Sequence, residues 1–320
     1  MYIFNEGGLP QHADERALDF IADEGFNFVR IPTDYRCYVK NAECEPDERG
    51  FEYIDEYIQS CCARGLHINL NIHRAPGYCI NRPEQEKTNL WKDSATQDVF
   101  VSLWEYIARR YAAVPASKLS FDIVNEPCNI PPTHPCTRED YSHLMRRVIK
   151  AIRSISPDRQ ITIDGFNGGG TAVPELADIG AVHSGRGYEP FRLTHYKAEW
   201  VRGGADWAMP QYPGEVQPGE YFDIDSIRKY YEPWKEVEKL GVNVHIGEFG
   251  CYNKVHNDIA LRWLEDLVTV YRENRWGYAL WNFEGAFGIV NHGRPGTVYR
   301  DYKGFNTDTA MLEILKKGML

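Results

Sequence analysis

Short apolar runs alternate with longer stretches in which apolar residues recur every three or four positions along most of this chain. The short runs are typical of buried strands, and the longer spacing is typical of amphipathic helices. The predicted strands are 26–31, 67–72, 119–124, 160–164, 181–184, 242–246 and 278–281, and the predicted helices are 13–24, 51–64, 96–112, 139–154, 224–240, 258–274 and 310–317. Because strand and helix alternate, the pattern predicts a (β/α)8 TIM barrel, with a doubly wound open sheet as the alternative.

The start of the chain decides how complete such a barrel is. Only Tyr2-Ile3-Phe4 reads as a strand ahead of the first predicted helix, so we expect a short or incomplete first strand. The 320 residues contain no long Ser/Gly/Pro linker and no block of like charge that would mark a boundary. Single barrels often exceed about 200 residues. We therefore predict one domain over residues 1–320.

The amino-acid composition indicates which kinds of ligand the chain can bind. The net charge of −10 argues against nucleic acid, because such binding depends on Lys and Arg side chains that contact phosphates. Aromatic residues make up 13% of the chain, and their flat rings suit the apolar faces of sugars. The eight cysteines show no repeated Cys-x-x-Cys spacing, so neither a zinc site nor a redox dithiol is predicted. No metal or other cofactor is expected.

The first residues and the overall hydropathy bear on location. Residues 1–6 show no basic leader, and the chain has no apolar stretch long enough for a signal peptide or a membrane span. A cytoplasmic protein without a membrane partner is therefore the default expectation, and a secreted one if a leader has been removed. The oligomeric state stays open.

Two glutamates each follow a run of alternating apolar residues. Glu126 lies in Val124-Asn125-Glu126-Pro127, and Glu248 lies in His245-Ile246-Gly247-Glu248-Phe249-Gly250. In a barrel the carboxyl ends of the strands carry the chemistry, so both carboxylates are expected at that face. Hydrolysis of a glycosidic bond with retention needs two carboxyl groups about 5 Å apart. The pair therefore predicts a glycoside hydrolase.

With Gly25-Phe26-Asn27-Phe28-Val29-Arg30-Ile31-Pro32 upstream and a last strand that ends in tryptophan, the two motifs together resemble those of family 5 glycoside hydrolases, which use two glutamates with retention. The resemblance covers nearly the whole chain. It implies that Glu126 is the acid/base and Glu248 the nucleophile. Arg30 is expected to be a cation that favours the ionised nucleophile, and Asn125 to hydrogen-bond the 2-hydroxyl of the sugar.

The resemblance also implies contacts with the sugar. His73 ends a predicted strand and matches a histidine that helps to shape the subsite where the bond is cut, although a lone histidine is more often an ordinary polar residue. Trp281 matches the tryptophan that forms a floor beneath the sugar, with a plug at the end of the barrel as the alternative. Glu284 in the following loop is a candidate for contact with a substrate hydroxyl.

After the strand predicted at 181–184 the family usually carries His-x-Tyr, and here Arg186-Gly187-Tyr188 stands in its place. Tyr188 is then expected to contact the nucleophile, and the permanently charged Arg186 to favour ionised carboxylates more strongly than a histidine would. His195-Tyr196 is a competing match. With Tyr188 preferred, His195 and Trp200 become sugar-contact candidates in the long loop 188–222, which is predicted to wall one side of the cleft.

These features predict a retaining hydrolase that cleaves β-linked oligo- or polysaccharides without a cofactor. The pattern of Arg186-Gly187-Tyr188 with His195-Tyr196-Lys197 slightly favours a β-mannosidase-like or other short-chain substrate. An endo-β-1,4-glucanase or β-mannanase of the same family is the alternative. A carbohydrate-binding barrel without turnover is the alternative of another class, which the presence of both glutamates disfavours.

Overall fold

The computed structural model describes residues 10–319, so the predicted strand at Tyr2-Ile3-Phe4 lies outside the described residues. The strands are β1 Phe28–Asp34, β2 His67–Arg74, β3 Leu119–Asp122, β4 Ile161–Asp164, β5 Val182–Gly187, β6 Gly214–Gln217, β7 Glu220–Phe222, β8 Val244–Phe249, β9 Gly277–Leu280, β10 Tyr299–Tyr302 and β11 Phe305–Asp308. The helices are α1 Glu15–Asp23, α2 Glu48–Ala63, α3 Ser94–Arg110, α4 Arg138–Ile155, α5 Phe191–Thr194, α6 Ile224–Tyr230, α7 Glu232–Glu238, α8 Asn257–Asn274 and α9 Thr309–Lys317. Strand and helix alternate as the apolar pattern predicts.

Seven of the described strands form one sheet in the order β1-β2-β3-β4-β5-β8-β9. The chain divides into two compact units. The first unit reaches residue 185 and includes residues 240–243, and the second comprises residues 186–239 and those from 244 onward. Strand β5 therefore passes from the first unit into the second.

In the first unit, β1 to β5 pair as parallel neighbours. Almost every residue of β1 and β2, and every residue of β3 and β4, is buried. Apolar and polar residues alternate along β2, β3 and β4, and both sets are buried, so polar side chains such as Asn71 and Asp122 lie inside the protein. Trp104 of α3 is fully buried, and its Nε1 donates to the carbonyl oxygen of Ile123 at 3.2 Å. The helix layer is thus bonded directly to the chain that leaves β3.

In the second unit, β8 and β9 pair in parallel. The second unit also contains two separate antiparallel hairpins, one formed by β6 and β7 and the other by β10 and β11. The first hairpin lies inside the long loop 188–222, which also contains the short helix α5. The loop is therefore folded into elements of its own, as expected for a functional loop of this length.

Side chains that bond the first free backbone N–H groups fix the starts of the long helices. Asp14, Asp47 and Asp93 accept hydrogen bonds from the first turns of α1, α2 and α3. Thr137 forms a capping box with Asp140 at the start of α4. The predicted boundaries of these four helices are confirmed to within three residues.

Several predicted elements differ from the structure. Strands β1, β5 and β8 each end three residues beyond the predicted end, at Asp34, Gly187 and Phe249. The helix predicted at 224–240 is divided into α6 and α7, because Pro233 fits the first turn of α7 but cannot continue a helix from α6. The strand predicted at 119–124 ends at Asp122. The backbone nevertheless stays bonded to its neighbours, since the Asn125 N–H donates to the Ile72 carbonyl oxygen at 3.1 Å.

Candidate active site

In the first unit, residues at the strand ends form a buried polar cluster around Asn125. Arg30 of β1 donates from Nε to Asp122 Oδ2 at 2.8 Å and from Nη2 to Asn125 Oδ1 at 3.0 Å. Nδ2 of Asn125 lies 3.2 Å from Nε2 of His73, near the end of β2. All four side chains are buried. Three residues predicted for the site, Arg30, His73 and Asn125, are thus brought together.

Arg30 has a structural task in this cluster. Its ion pair with Asp122 is almost fully buried, with 4% and 0% of the two side chains exposed. Removing one partner of such a pair leaves an uncompensated charge out of water, which is strongly destabilising. The pair therefore holds the end of β3 against β1, and it orients the Arg30 group that bonds Asn125. The expected effect of Arg30 on the nucleophile stays a prediction.

Glu126 follows this cluster with its backbone in the left-handed region, at a φ of +50°. A non-glycine residue in that region costs about 1–2 kcal/mol and persists only where the surroundings hold it. The Glu126 N–H donates to Asp164 Oδ2 at 2.8 Å, and the Glu126 carbonyl oxygen accepts from Tyr78 Oη at 2.6 Å. Glu126 is partly buried, whereas Asp164 and Tyr78 are fully buried. Glu126 is thus held through its backbone on both sides.

In the second unit, Glu248 lies within β8 and contacts Tyr188 and Arg186 through its side chain. Glu248 Oε2 accepts a hydrogen bond from Tyr188 Oη at 3.1 Å. Its Oε1 lies 3.7 Å from Arg186 Nη2, and only 2% of the Arg186 side chain and 5% of the Glu248 side chain are exposed. The two groups therefore form a buried ion pair, in which the Coulomb attraction is weakly screened by water. Tyr188 and Arg186 thus lie next to Glu248, as the His-x-Tyr alignment predicts.

Gly187 allows β5 to pass close to α8 and β8. A Cβ atom at this position would lie 2.1 Å from Tyr271 Oη and 2.6 Å from Phe249 Cβ, so a side chain does not fit. Tyr231 Oη donates to the Arg186 carbonyl oxygen at 3.0 Å and lies 2.9 Å from Tyr271 Oη. Burial raises the pKa of both tyrosine hydroxyls well above the usual value, so both stay protonated. The backbone at Arg186 is therefore fixed by buried hydrogen bonds.

Three of the aromatic side chains of loop 188–222, Phe191, His195 and Trp200, lie close together, and we call them the aromatic wall. Phe191 stacks on His195 with ring centroids 4.1 Å apart, and Trp200 lies edge-on to Tyr252 at 4.9 Å. Phe191 is 42% exposed and Trp200 58%. Burial lowers the pKa of His195 to about 4, so its ring is neutral near pH 7. Exposed rings on a packed base are suited to stacking against sugars.

The chain after β9 supplies the two remaining predicted residues. Trp281 is partly buried and packs against a small cluster formed by Ala198, Tyr252 and Phe287. Glu284 is exposed and accepts a hydrogen bond from Asn291 Nδ2 at 2.8 Å. The contacts of Trp281 and Glu284 with a sugar stay predictions.

Sequence reasoning does not single out several residues of these two regions. Asp122 and Asp164 each end a fully buried strand, and a carboxylate in an otherwise apolar run is a signal that could have found them. Tyr78, Tyr252 and Phe287 come from loops after different strands. Spacing along the chain does not predict which side chains such loops bring together.

Carboxylates, arginines and tyrosine hydroxyls are the main reactive groups described in both regions. Within residues 10–319, no group of three or more His, Cys, Asp or Glu side chains is arranged to hold a metal ion. The eight cysteines, all in that range, are free thiols. None of the described helices has the length and apolar character needed to cross a bilayer.

Comparison with known proteins adds the family and the fold. A family model described as Cellulase (glycosyl hydrolase family 5) matches residues 6–286. Endoglucanase C of Acetivibrio thermocellus is 29% identical over 91% of this chain and 90% of its own length. A crystal structure of a glycoside hydrolase is 52% identical, with a TM-score of 0.95 over 100% of this chain and 97% of the other. Cel5A of Thermotoga maritima, in complex with mannotriose, is 26% identical, with a TM-score of 0.74 over 95% and 90% of the two chains.

These matches extend over nearly all of the chain. Together with the seven-stranded sheet, they confirm the predicted (β/α)8 TIM barrel. The expected short first strand lies outside the described residues and stays a prediction.

Proposed function

The chain belongs to glycosyl hydrolase family 5, and we propose that within this family it is a retaining endo-β-1,4-glucanase. It is a glycoside hydrolase that acts on O-glycosyl bonds. The family description, Cellulase, and the likeness to an enzyme named Endoglucanase C support a cellulosic substrate.

The observation that carries the proposed mechanism is the burial of Glu248 against the hydroxyl of Tyr188 and the guanidinium of Arg186. A nucleophilic carboxylate must be ionised and must have its oxygen atoms oriented. Arg186 supplies a permanent positive charge, and the Tyr188 hydroxyl binds Oε2. In the first step, Glu248 attacks the anomeric carbon, the bond to the leaving oxygen breaks, and a covalent glycosyl-enzyme forms.

We assign the acid/base role to Glu126. It gives its proton to the leaving oxygen as the glycosidic bond breaks, and it then takes a proton from the water that displaces Glu248. The Asn125 amide, which is bonded to Arg30 and lies beside His73, is placed at the 2-hydroxyl of the sugar in this proposal. That contact strengthens as the ring gains oxocarbenium character. The two steps balance without a cofactor.

The aromatic wall supports a β-1,4-glucan as the substrate. Every ring hydroxyl of β-linked glucose is equatorial, so both faces of the sugar present C–H groups that can stack on exposed rings such as Trp200 and Phe191. Mannose carries an axial 2-hydroxyl, which makes one face more polar. The slight preference for a β-mannosidase-like substrate has no support among the named relatives, and we replace it with the glucan.

A β-1,4-mannan is the second candidate. One observation favours it, namely that Cel5A of Thermotoga maritima, 26% identical to this chain, has a structure in complex with mannotriose. A site that accepts both sugars would cleave both polymers, with the ratio of the two rates set by the contact at the 2-hydroxyl.

The test compares soluble cellulose, β-mannan, an aryl β-cellobioside and an aryl β-mannoside side by side. We expect a rapid loss of viscosity from soluble cellulose with release of oligosaccharides, and a first product of retained β configuration by NMR. A larger kcat/KM on mannan would favour the second candidate. Single sugars released only from the mannoside would restore the β-mannosidase-like reading, and an α-configured first product would overturn the retaining mechanism.

A further inference from the structure

The backbone of Glu126 lies in a region that its own sequence disfavours. Its φ of +50° is uncommon for any residue other than glycine. The next residue is Pro127, which also pushes the residue before it toward extended conformations. Something in the surroundings must therefore hold Glu126 in this conformation.

Two buried side chains bond the two backbone polar atoms of Glu126. Asp164 Oδ2 accepts from the Glu126 N–H at 2.8 Å, and Tyr78 Oη donates to the Glu126 carbonyl oxygen at 2.6 Å. Both side chains are 0% exposed. A bond to a carboxyl oxygen and a short bond from a hydroxyl, both out of water, are strong hydrogen bonds. They act on the peptide groups that flank the Glu126 Cα atom.

Asp164 and Tyr78 are themselves fixed. The Asp164 carbonyl oxygen accepts from Tyr141 Oη at 2.6 Å. Tyr78 exchanges two backbone hydrogen bonds with Ala75, at 2.9 and 3.0 Å, and packs edge-on against Trp91 at 4.7 Å. These contacts fix Asp164 and Tyr78, so a change in the Glu126 backbone would break its hydrogen bonds to them.

We propose that Asp164 and Tyr78 are positioning residues that hold Glu126 in its left-handed conformation and so aim its carboxyl group at the leaving oxygen. The direction of the Cα–Cβ bond follows from φ, so a return to an extended backbone would turn the carboxyl group away. The inference rests on the acid/base role proposed for Glu126. Misplacement of a reacting group by about 1 Å can cost roughly a hundredfold in rate.

Leaving-group dependence separates this role from a merely structural one. Protonation by Glu126 matters for a phenolate or sugar leaving group and hardly at all for 2,4-dinitrophenolate, which leaves without a proton. The quantity to measure is kcat/KM, because it reports the first bond cleavage and not the later attack of water. A general loss of folded enzyme lowers kcat/KM on both substrates equally.

The experiment compares phenyl and 2,4-dinitrophenyl β-cellobioside. Tyr78→Phe removes only the hydroxyl, and we expect roughly a tenfold loss of kcat/KM on the phenyl substrate with less than about a twofold change on the dinitrophenyl one. Asp164→Ala should lose more in the same pattern. Asp164→Asn keeps an oxygen that can accept from the Glu126 N–H and should recover most of the activity. Tyr57→Phe on α2 is the matched control, because it removes a hydroxyl that donates to the His12 carbonyl oxygen at 3.2 Å.

Glu126→Ala in the same assay separates the two hypotheses. If it shows no leaving-group dependence, the proposed acid/base role of Glu126 fails. If it shows that dependence while Tyr78→Phe and Asp164→Ala lose activity equally on both substrates, or not at all, the positioning role fails and the acid/base role stands. If Asp164→Ala does not fold, Tyr78→Phe alone decides.

Discussion

The two proposed catalytic carboxylates are held in different ways. Glu248 lies inside strand β8, and its carboxylate oxygens face Tyr188 and Arg186. Glu126 lies beyond the end of β3, in a left-handed conformation, and both of its backbone polar atoms are bonded. A nucleophile keeps one charge state until it attacks, so charge and hydrogen bonds on its oxygens help it. An acid/base changes its charge twice per turnover, and support through the backbone holds it without favouring one charge state.

The largest expected effect is the loss of the nucleophile. Glu248→Gln should lower kcat by at least roughly 10³-fold on every substrate, because no other group forms the glycosyl-enzyme. Added azide should restore turnover of an activated aryl glycoside with inverted configuration when Ala replaces Glu248. Glu313→Gln, an exposed glutamate on α9, is the control and should match the parent. Activity of Glu248→Gln within about tenfold of the parent would remove Glu248 from the mechanism.

Glu126 should show a smaller and more selective effect. For Glu126→Ala we expect kcat/KM to fall roughly 10²- to 10³-fold on phenyl β-cellobioside and much less on the dinitrophenyl substrate. Azide should here give a product of retained configuration, because Glu248 still forms the covalent intermediate. The same product configuration from both azide-rescued variants would contradict the contrast between the two carboxylates.

Arg186 tests whether charge supports the nucleophile. Arg186→Gln removes the permanent positive charge beside Glu248, so the buried carboxylate loses its ion-pair partner. We expect kcat/KM to fall roughly tenfold. Arg186→Lys should recover part of the loss. An unchanged kcat/KM in folded Arg186→Gln, with folding checked by circular dichroism, would show that Arg186 only fills space.

The aromatic wall should affect binding more than chemistry. Trp200→Ala should raise KM for cellulose oligosaccharides about 3- to 10-fold, as expected for the loss of one stacking contact, and leave kcat almost unchanged. The melting temperature should stay close to that of the parent, since Trp200 is 58% exposed. Tyr221→Ala on the β6–β7 hairpin, with 62% exposure, is the matched control. A fall in kcat without a change in KM would place Trp200 in a different role.

The smallest expected effect concerns stability against pH. Burial lowers the pKa of His183 in the first unit and of His195 in the second to about 4. Below pH 6.5 the unfolded chain therefore binds protons that the folded chain does not, and the free energy of unfolding falls as pH decreases from about 6.5 to about 4. Replacing His183 with Gln should make this decline shallower in denaturation curves at several pH values. An unchanged slope would contradict the neutral state of His183.

The sequence predicts where the two carboxylates lie and which residues neighbour Glu248. Alternating apolar runs locate the strands, and the residue after each run locates Glu126 and Glu248, because the ends of parallel strands lie at one edge of a sheet. The match of Arg186-Gly187-Tyr188 to His-x-Tyr predicts that these side chains lie near the nucleophile, and in the structure Tyr188 and Arg186 contact Glu248.

Other features depend on contacts that a linear pattern does not encode. The bond from Tyr78 to Glu126 joins residues 48 positions apart, and the bond to Asp164 spans 38 positions. The sequence does contain a signal for the break between α6 and α7, namely Pro233. The helical spacing of apolar residues continues across this proline, however, and predicts a single helix. The apolar pattern predicts burial well, and it predicts poorly which buried polar groups meet.

Gly187 also limits how this enzyme can be changed. Because Gly187 has no side chain, the backbone between Arg186 and Tyr188 can pack directly against Tyr271 and Phe249. A mutational library that varies residues 186–188 should therefore keep position 187 invariant. The two neighbours of the nucleophile can then be tuned one at a time, whereas a shift of the segment that carries them would move both at once and disturb the core as well.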